Sequence, residues 1–153
     1  MELLKSDLDT CTTKNTPFFT FACKEFLCKC ISVYDGDTIT VAFKPFSNVE
    51  NTNVGSIYKY NIRLAGIDTP EIRTKNPDEK KRAIVIRDKL REKILNKFVF
   101  IKCGKFDKYG RLLGDVYDEK KTEHINKWLI DNGFAYAYDG GTKQEFKSDS
   151  GSN

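Results

Sequence analysis

The sequence contains a single histidine, His124, and an odd number of cysteines: Cys11, Cys23, Cys28, Cys30 and Cys103. An odd thiol count makes a poor disulfide framework, so all five are read as reduced. Cys23, Cys28 and Cys30 lie near one another, yet no second Cys or His pair has zinc-ligand spacing. They are read instead as buried or half-buried strand thiols. His124 is placed in the first turn of a helix and is assigned no catalytic role. No apolar run approaches the ~18 residues that a membrane span requires. The opening Met1 to Asp7 lacks a basic stretch followed by an apolar one, so no secretory leader is read there. These absences together predict a cytoplasmic protein with no membrane partner. Internal repeats and a second domain are also absent from the pattern.

What is present is a chain of 153 residues, 39% hydrophobic and 31% charged. That composition suits one globular domain that needs neither disulfides nor metal to fold. The net charge of +4 hides a strong asymmetry. Residues 59–111 hold 16 Lys and Arg against 7 Asp and Glu, while the rest of the chain holds 10 against 15. A local excess of positive charge favours phosphate-bearing partners, and a solvated helix face is the plainer reading of the Lys80–Lys97 charges.

Residues 1–20 read as an N-terminal arm, 21–140 as the domain and 141–153 as a flexible tail rich in Gly, Lys and Ser. Phe18, Phe19 and Phe21 are expected to cover one edge of the core. From Phe26 to Phe43 the pattern is strand, turn, strand. Cys28, Cys30, Ser32 and Tyr34 alternate with Lys29, Ile31 and Val33. Lys44–Ser56 reads as a loop and Ile57–Leu64 as the next strand. Asn76 can cap a helix that begins at Pro77, with Glu79 where a capping-box acid belongs. Ala83, Ile86, Leu90 and Ile94 then recur at helical spacing. Phe98–Lys102 and Leu112–Tyr117 read as strands. Thr122 is expected to cap a second helix with Ile125, Trp128 and Leu129 inward, stopped at Asn132 and Gly133. The pattern is therefore five short strands with a helix between the third and fourth.

Three segments carry chemistry. Asp35-Gly36-Asp37-Thr38 is a hairpin turn by its Asp-Gly pair. It is not an EF-hand, because the twelfth position from Asp35 is Phe46 and not glutamate. Arg63 to Glu71 brings an arginine together with Asp68, Thr69 and Glu71 at a turn that Gly66 and Pro70 enforce. Lys108-Tyr109-Gly110-Arg111 is a third polar turn with a second arginine. Carboxylates of this kind suit a hard cation, and arginine forks suit phosphate oxygens. An ion pair of Arg63 with Asp68 or Glu71 is the plainer alternative. Both arginine heads are expected to face solvent.

The three segments, in this order, closely resemble the staphylococcal nuclease (thermonuclease) family from about Cys30 to Tyr138. The resemblance implies an α+β fold, a five-stranded OB-fold β-barrel with two to three α-helices. It implies a Ca²⁺-dependent, sugar-nonspecific endo- and exonuclease that acts on DNA and RNA, leaves 3′-phosphate ends and works as a monomer. By the family's pattern Asp37 and Asp68 bind calcium, with Thr69 giving its backbone carbonyl and Asp35 supporting the site. Arg63, Glu71 and Arg111 match the catalytic positions. Lys108, Tyr109, Tyr136 and Tyr138 match positions that contact substrate. Compared with the family, the Lys44–Ser56 loop is longer and the segment after Glu71 is shorter. Little sequence is left after Tyr138 for the family's usual C-terminal helix, and the aromatic N-terminal extension is a candidate to replace its packing. The alternative from another class is a catalytically inactive nuclease-like OB domain that binds nucleic acid or protein. A single-strand binding OB-fold is a third reading, hinted at only by the two C-terminal tyrosines.

Overall fold

Alternating apolar residues in β1 (Glu25–Val33), β2 (Thr38–Phe43) and β3 (Tyr58–Leu64) build the first half of the fold. The structure, a computed structural model, describes residues 1–46 and 55–147. Most of the loop expected at Lys44–Ser56 therefore lies outside the described residues, as does the end of the tail. β4 (Ile67–Asp68), α2 (Pro77–Ile94), β5 (Phe98–Phe106), β6 (Leu112–Asp118), α3 (Ile125–Asp131) and β7 (Tyr136–Ala137) follow. The strands close a barrel in the order β1-β2-β3-β6-β5, and β4 and β7 pair separately beside it. All barrel pairs are antiparallel except β3 with β6, the parallel seam that closes it. This is the expected five-stranded α+β barrel, with α2 between the third and fourth barrel strands. An additional helix, α1 (Glu2–Asp9), precedes it and buries none of its residues.

The core is mainly aliphatic, with a phenylalanine cluster at one end. Ile39, Ile62, Leu64, Ile101, Leu112 and Val116 fill the barrel, and Ile86, Leu90 and Ile94 of α2 and Leu129 of α3 join the same cluster. The alternation in β1 departs from the simple period of two. Register slips between Cys30 and Ser32, so Val33 joins Cys28 and Cys30 inside, while Ser32 and Tyr34 stay out. One extra residue in a strand inverts the facing of everything after it. Cys28, Cys30 and Cys103 are buried, whereas Cys23 is exposed and Cys11 lies on the surface. Burial raises the Cys30 and Cys103 thiols to about 11, out of reach of thiolate chemistry. Of the three N-terminal phenylalanines only Phe21 packs inward, edge-on to Phe26 and Phe43, while Phe18 and Phe19 remain exposed.

Two helix ends differ from expectation in ways that matter for the site. Asn76 caps α2 by accepting from the backbone N–H of Asp78 and Glu79. Glu79, however, does not close a capping box. Its carboxylate accepts from the Thr74 hydroxyl at 2.7 Å and from the Glu71 backbone N–H at 3.2 Å. Thr122 does not cap α3; His124 stands at that position with no side-chain cap bond, and Thr122 donates to Asp118 at 2.7 Å instead. Asn126 on α3 is buried and reaches three backbone groups: it accepts from Val116 N and donates to Ala65 O and Gly114 O. That side chain fastens α3 to β6 and to the turn before β4.

Candidate active site

The acidic turn after β1 fits under α2 only because residue 36 has no side chain. A Cβ there would come within 2.6 Å of Ile86 Cγ2 and 2.9 Å of Thr69 Oγ1. Thr69 is thereby pressed against the turn, and both its backbone N–H and its hydroxyl donate to Asp37 Oδ2 at 3.1 Å. Thr38 donates to the other oxygen of Asp37 at 3.2 Å. Asp35 lies half-buried beside it, accepting from the Asp37 backbone N–H. Burial, and then the neighbouring Asp37 carboxylate, push Asp35 up to about 7.

Arg63 enters from the end of β3. Its Nη1 donates to the carbonyls of Leu64 and Ile67, both at 2.9 Å, so the guanidinium spans the turn that Gly66 makes with φ +74°. Its Nη2 lies 3.3 Å from Asp37 Oδ2 and 3.1 Å from Asp68 Oδ1. The residue is only 7% exposed, so the expectation of a solvent-facing head is corrected for Arg63. The cause is local: two carbonyls of a tight turn and two buried carboxylates must be satisfied at one point, and a planar fork reaches all four. The ion pair with Asp68 anticipated as the plainer alternative is present, with Asp37 as a second partner.

Arg111 is held differently. Asp107 accepts from the Arg111 guanidinium at 2.7 Å and, through its other oxygen, from the backbone N–H of Tyr109 and Arg111 at 2.9 Å. Burial acts against the Asp107 charge, but these donors outweigh it and hold the carboxyl below its ordinary range. Nη1 of Arg111 also donates to Thr38 at 3.3 Å, which ties the third segment to the first. Lys108 and Tyr109 stand exposed on the turn itself, with Tyr109 stacked against the Arg111 guanidinium at 5.4 Å.

Asp35, Asp37, Arg63, Thr69, Glu71 and Arg111 line a single cleft of about 350 Å³, together with Tyr34, Arg73 and Lys143. Asp68 borders a larger groove of about 1050 Å³ with Glu71, Tyr136 and Lys143. Tyr136 reaches the charges through its hydroxyl, which donates to Asp68 Oδ2 at 2.5 Å. Burial and that bond raise its pKa to about 12. Tyr138 lines neither space; its hydroxyl donates to Gly141 O. Sequence reasoning missed Lys143, which pairs with Glu71 at 3.0 Å and Asp68 at 3.3 Å. No pattern marks it, because it follows the last strand in a stretch rich in small polar residues. Burial opposes its charge, but the bonds to Glu71 and Asp68 prevail and raise its pKa.

Among the described residues no three His, Cys, Asp or Glu side chains gather into a metal-sized cluster. What does converge is a pair of buried carboxylates, Asp37 and Asp68, on one guanidinium nitrogen. The point between them is held by the Arg63 guanidinium, and the two carboxylates are hard oxygen donors of the kind a cation such as Ca²⁺ takes.

Among the described residues no helix is long and apolar enough to cross a membrane. No curated protein matches the sequence. The family model of staphylococcal nuclease homologues matches residues 61–150, a span that includes Arg63, Asp68 to Glu71, Arg111 and Lys143. Asp35 and Asp37 precede that span and reach the cleft through the barrel's own geometry. Matched over more than half of its length by that model, the chain belongs to the family of staphylococcal nuclease homologues.

Proposed function

We propose that the chain is a Ca²⁺-dependent nuclease that hydrolyses phosphodiester bonds of DNA and RNA and leaves 3′-phosphate ends. The observation that carries this reading is the convergence of residues from four separate segments on one small cleft. They combine Asp35 and Asp37, with Asp68 joined to Asp37 through Arg63, for a cation, a glutamate for water and two arginines for a phosphate. Phosphate is common to DNA and RNA, so a cleft whose charged groups address phosphate does not select the sugar.

Asp37, Asp68 and the Thr69 carbonyl hold the cation, with Asp35 as support. When bound, Ca²⁺ supplies positive charge to the phosphate oxygens. Arg111, fixed by Asp107, and Arg63, fixed by the turn carbonyls, address the same phosphate from two sides. Charge grows on its non-bridging oxygens as water attacks, and preorganised donors stabilise that growth most. Glu71 is exposed at the cleft, where its carboxylate can reach a water. It acts by holding the attacking water in line and taking its proton late. The bond from phosphorus to the 5′-oxygen then breaks, and the leaving 5′-oxygen takes up a proton from solvent. Lys108 and Tyr109 on the exposed turn meet a neighbouring phosphate. Tyr136, which borders the larger groove, flanks the nucleotide on the other side.

The alternative is a nuclease-like module that binds nucleic acid or protein without cutting. One observation favours it: Arg63 neutralises Asp37 and Asp68, and Lys143 neutralises Glu71, so the cleft is electrostatically self-satisfied as it stands. Digestion of DNA and RNA in Ca²⁺, in Mg²⁺ and in chelator separates the two. The enzyme reading expects cleavage in Ca²⁺, much less in Mg²⁺ and none in chelator. Binding without cleavage in Ca²⁺ establishes the alternative.

A further inference from the structure

Asp68 is saturated. Oδ2 accepts from the Tyr136 hydroxyl, and Oδ1 accepts from Arg63 Nη2 at 3.1 Å and lies 3.3 Å from Lys143 Nζ. These partners are not equivalent. Arg63 is buried in the barrel wall and also holds two turn carbonyls. Tyr136 belongs to β7 and is paired in register with Asp68 itself. Lys143 lies outside any helix or strand, and its side chain is 47% exposed. Its segment is held beside Asp68 by Gln144, whose N–H donates to the Tyr136 hydroxyl at 3.1 Å and whose carbonyl lies 3.4 Å from it, and is turned by the Tyr138 hydroxyl, which donates to Gly141 O at 2.7 Å. Of the groups on Asp68, Lys143 is the one that no helix or strand holds in place.

We propose that Lys143 is a further positioning residue of the cleft, a built-in counter-ion that holds Glu71 beside Asp68 and that an arriving divalent cation displaces from Asp68. The proposal rests on the reading of Asp68 as a metal ligand. Arg63 already takes Oδ1, so a divalent cation reaching that oxygen meets the Lys143 ammonium beside it, and at this range the two repel each other. Lys143 therefore weakens cation binding by its charge while it keeps Glu71 from swinging out of the cleft. Arg63 cannot play this part, because its other two bonds belong to the fold.

The test is a calorimetric Ca²⁺ titration of the full chain in four forms: parent, Lys143→Gln, Lys143→Arg and Lys147→Gln. Lys147 lies in the same segment and borders the larger groove, so its replacement controls for general charge. Lys143→Gln is expected to bind Ca²⁺ about 5-fold more tightly, the scale for removing one nearby partly solvated charge. Lys143→Arg and Lys147→Gln are expected to stay within about 2-fold of the parent, the first because the counter-ion is retained and the second because that charge lies off Asp68. Unchanged or weaker binding in Lys143→Gln overturns the proposal, as does equal tightening in Lys147→Gln. If the parent binds Ca²⁺ and Lys143→Gln matches it, only this proposal falls. If neither binds Ca²⁺, the metal reading of Asp68 falls with it.

Discussion

Arg63 and Arg111 line the same cleft, yet one belongs to the barrel wall and the other to its rim. Arg63 is buried and bonded to two backbone carbonyls and two carboxylates. Arg111 keeps 29% of its side chain exposed and is oriented by a single acid, Asp107. Two residues with one expected role therefore carry different structural burdens. At the wall, fold and chemistry share the same bonds, so a substitution there disturbs both. At the rim a side chain can be removed while the fold stays, which makes Arg111 the cleaner probe of the proposed catalysis.

The largest effect should come from Arg63→Ala. It strands two buried carboxylates and two turn carbonyls, and loss of one partner of a buried ion pair costs about 3–5 kcal/mol. Urea denaturation should show that loss, and a drop below about 1 kcal/mol would move Arg63 out of the wall and into the rim class. Arg63→Lys should fare little better, because a single ammonium cannot span all four acceptors. Arg111→Ala should keep its urea midpoint near that of the parent while turnover falls by roughly 10²-fold or more, the scale for one preorganised donor. Near-normal turnover in a folded Arg111→Ala protein would remove Arg111 from the phosphate.

Gly36→Ala probes the wall without touching a charge. The added Cβ meets Ile86 and Thr69 inside contact distance, so a loss of about 1–3 kcal/mol is expected, with weaker Ca²⁺ binding as Asp37 shifts. A neutral effect in both measurements would show that α2 yields easily. Asp107→Asn is the mildest change. Arg111 loses its charged anchor but not its turn, so turnover should fall by about 10-fold and stability by less than about 1 kcal/mol. The Asp107 pKa is lowered in the fold, so its contribution is present above the ordinary carboxylate range and is lost as pH falls through the depressed value. Parent and Asp107→Asn stabilities should therefore converge toward acid pH, and parallel curves would deny the linkage.

Much of the wall is legible in the sequence because turns announce themselves. Asp-Gly, Gly66 and Pro70 mark where backbone must bend, and the apolar spacing of Ala83, Ile86, Leu90 and Ile94 marks the face of α2 that is buried. The local patterns fail where one residue or one distant contact decides. The slip at Ile31 leaves no compositional trace, so the facing of Ser32 and Val33 cannot be had from alternation. Glu79 sits where a capping box belongs, but the backbone of Glu71, eight residues earlier, takes its carboxylate instead. The burial of Arg63 follows from carbonyls and acids that meet only once the barrel closes. Lys143 is further still from any rule, since its partners are 72 and 75 residues away in sequence.

The central claim is that Glu71 serves water at a phosphate held by this cleft. Its most direct test compares cleavage and binding of one oligonucleotide by the parent and by Glu71→Gln, both in Ca²⁺. The substitution keeps the shape and removes the charge. The account predicts that the parent cuts, that the variant loses cleavage by roughly 10²-fold or more, and that the variant binds the oligonucleotide as tightly or more so. A parent that binds in Ca²⁺ but never cuts, or a variant that cuts as fast as the parent, would contradict it.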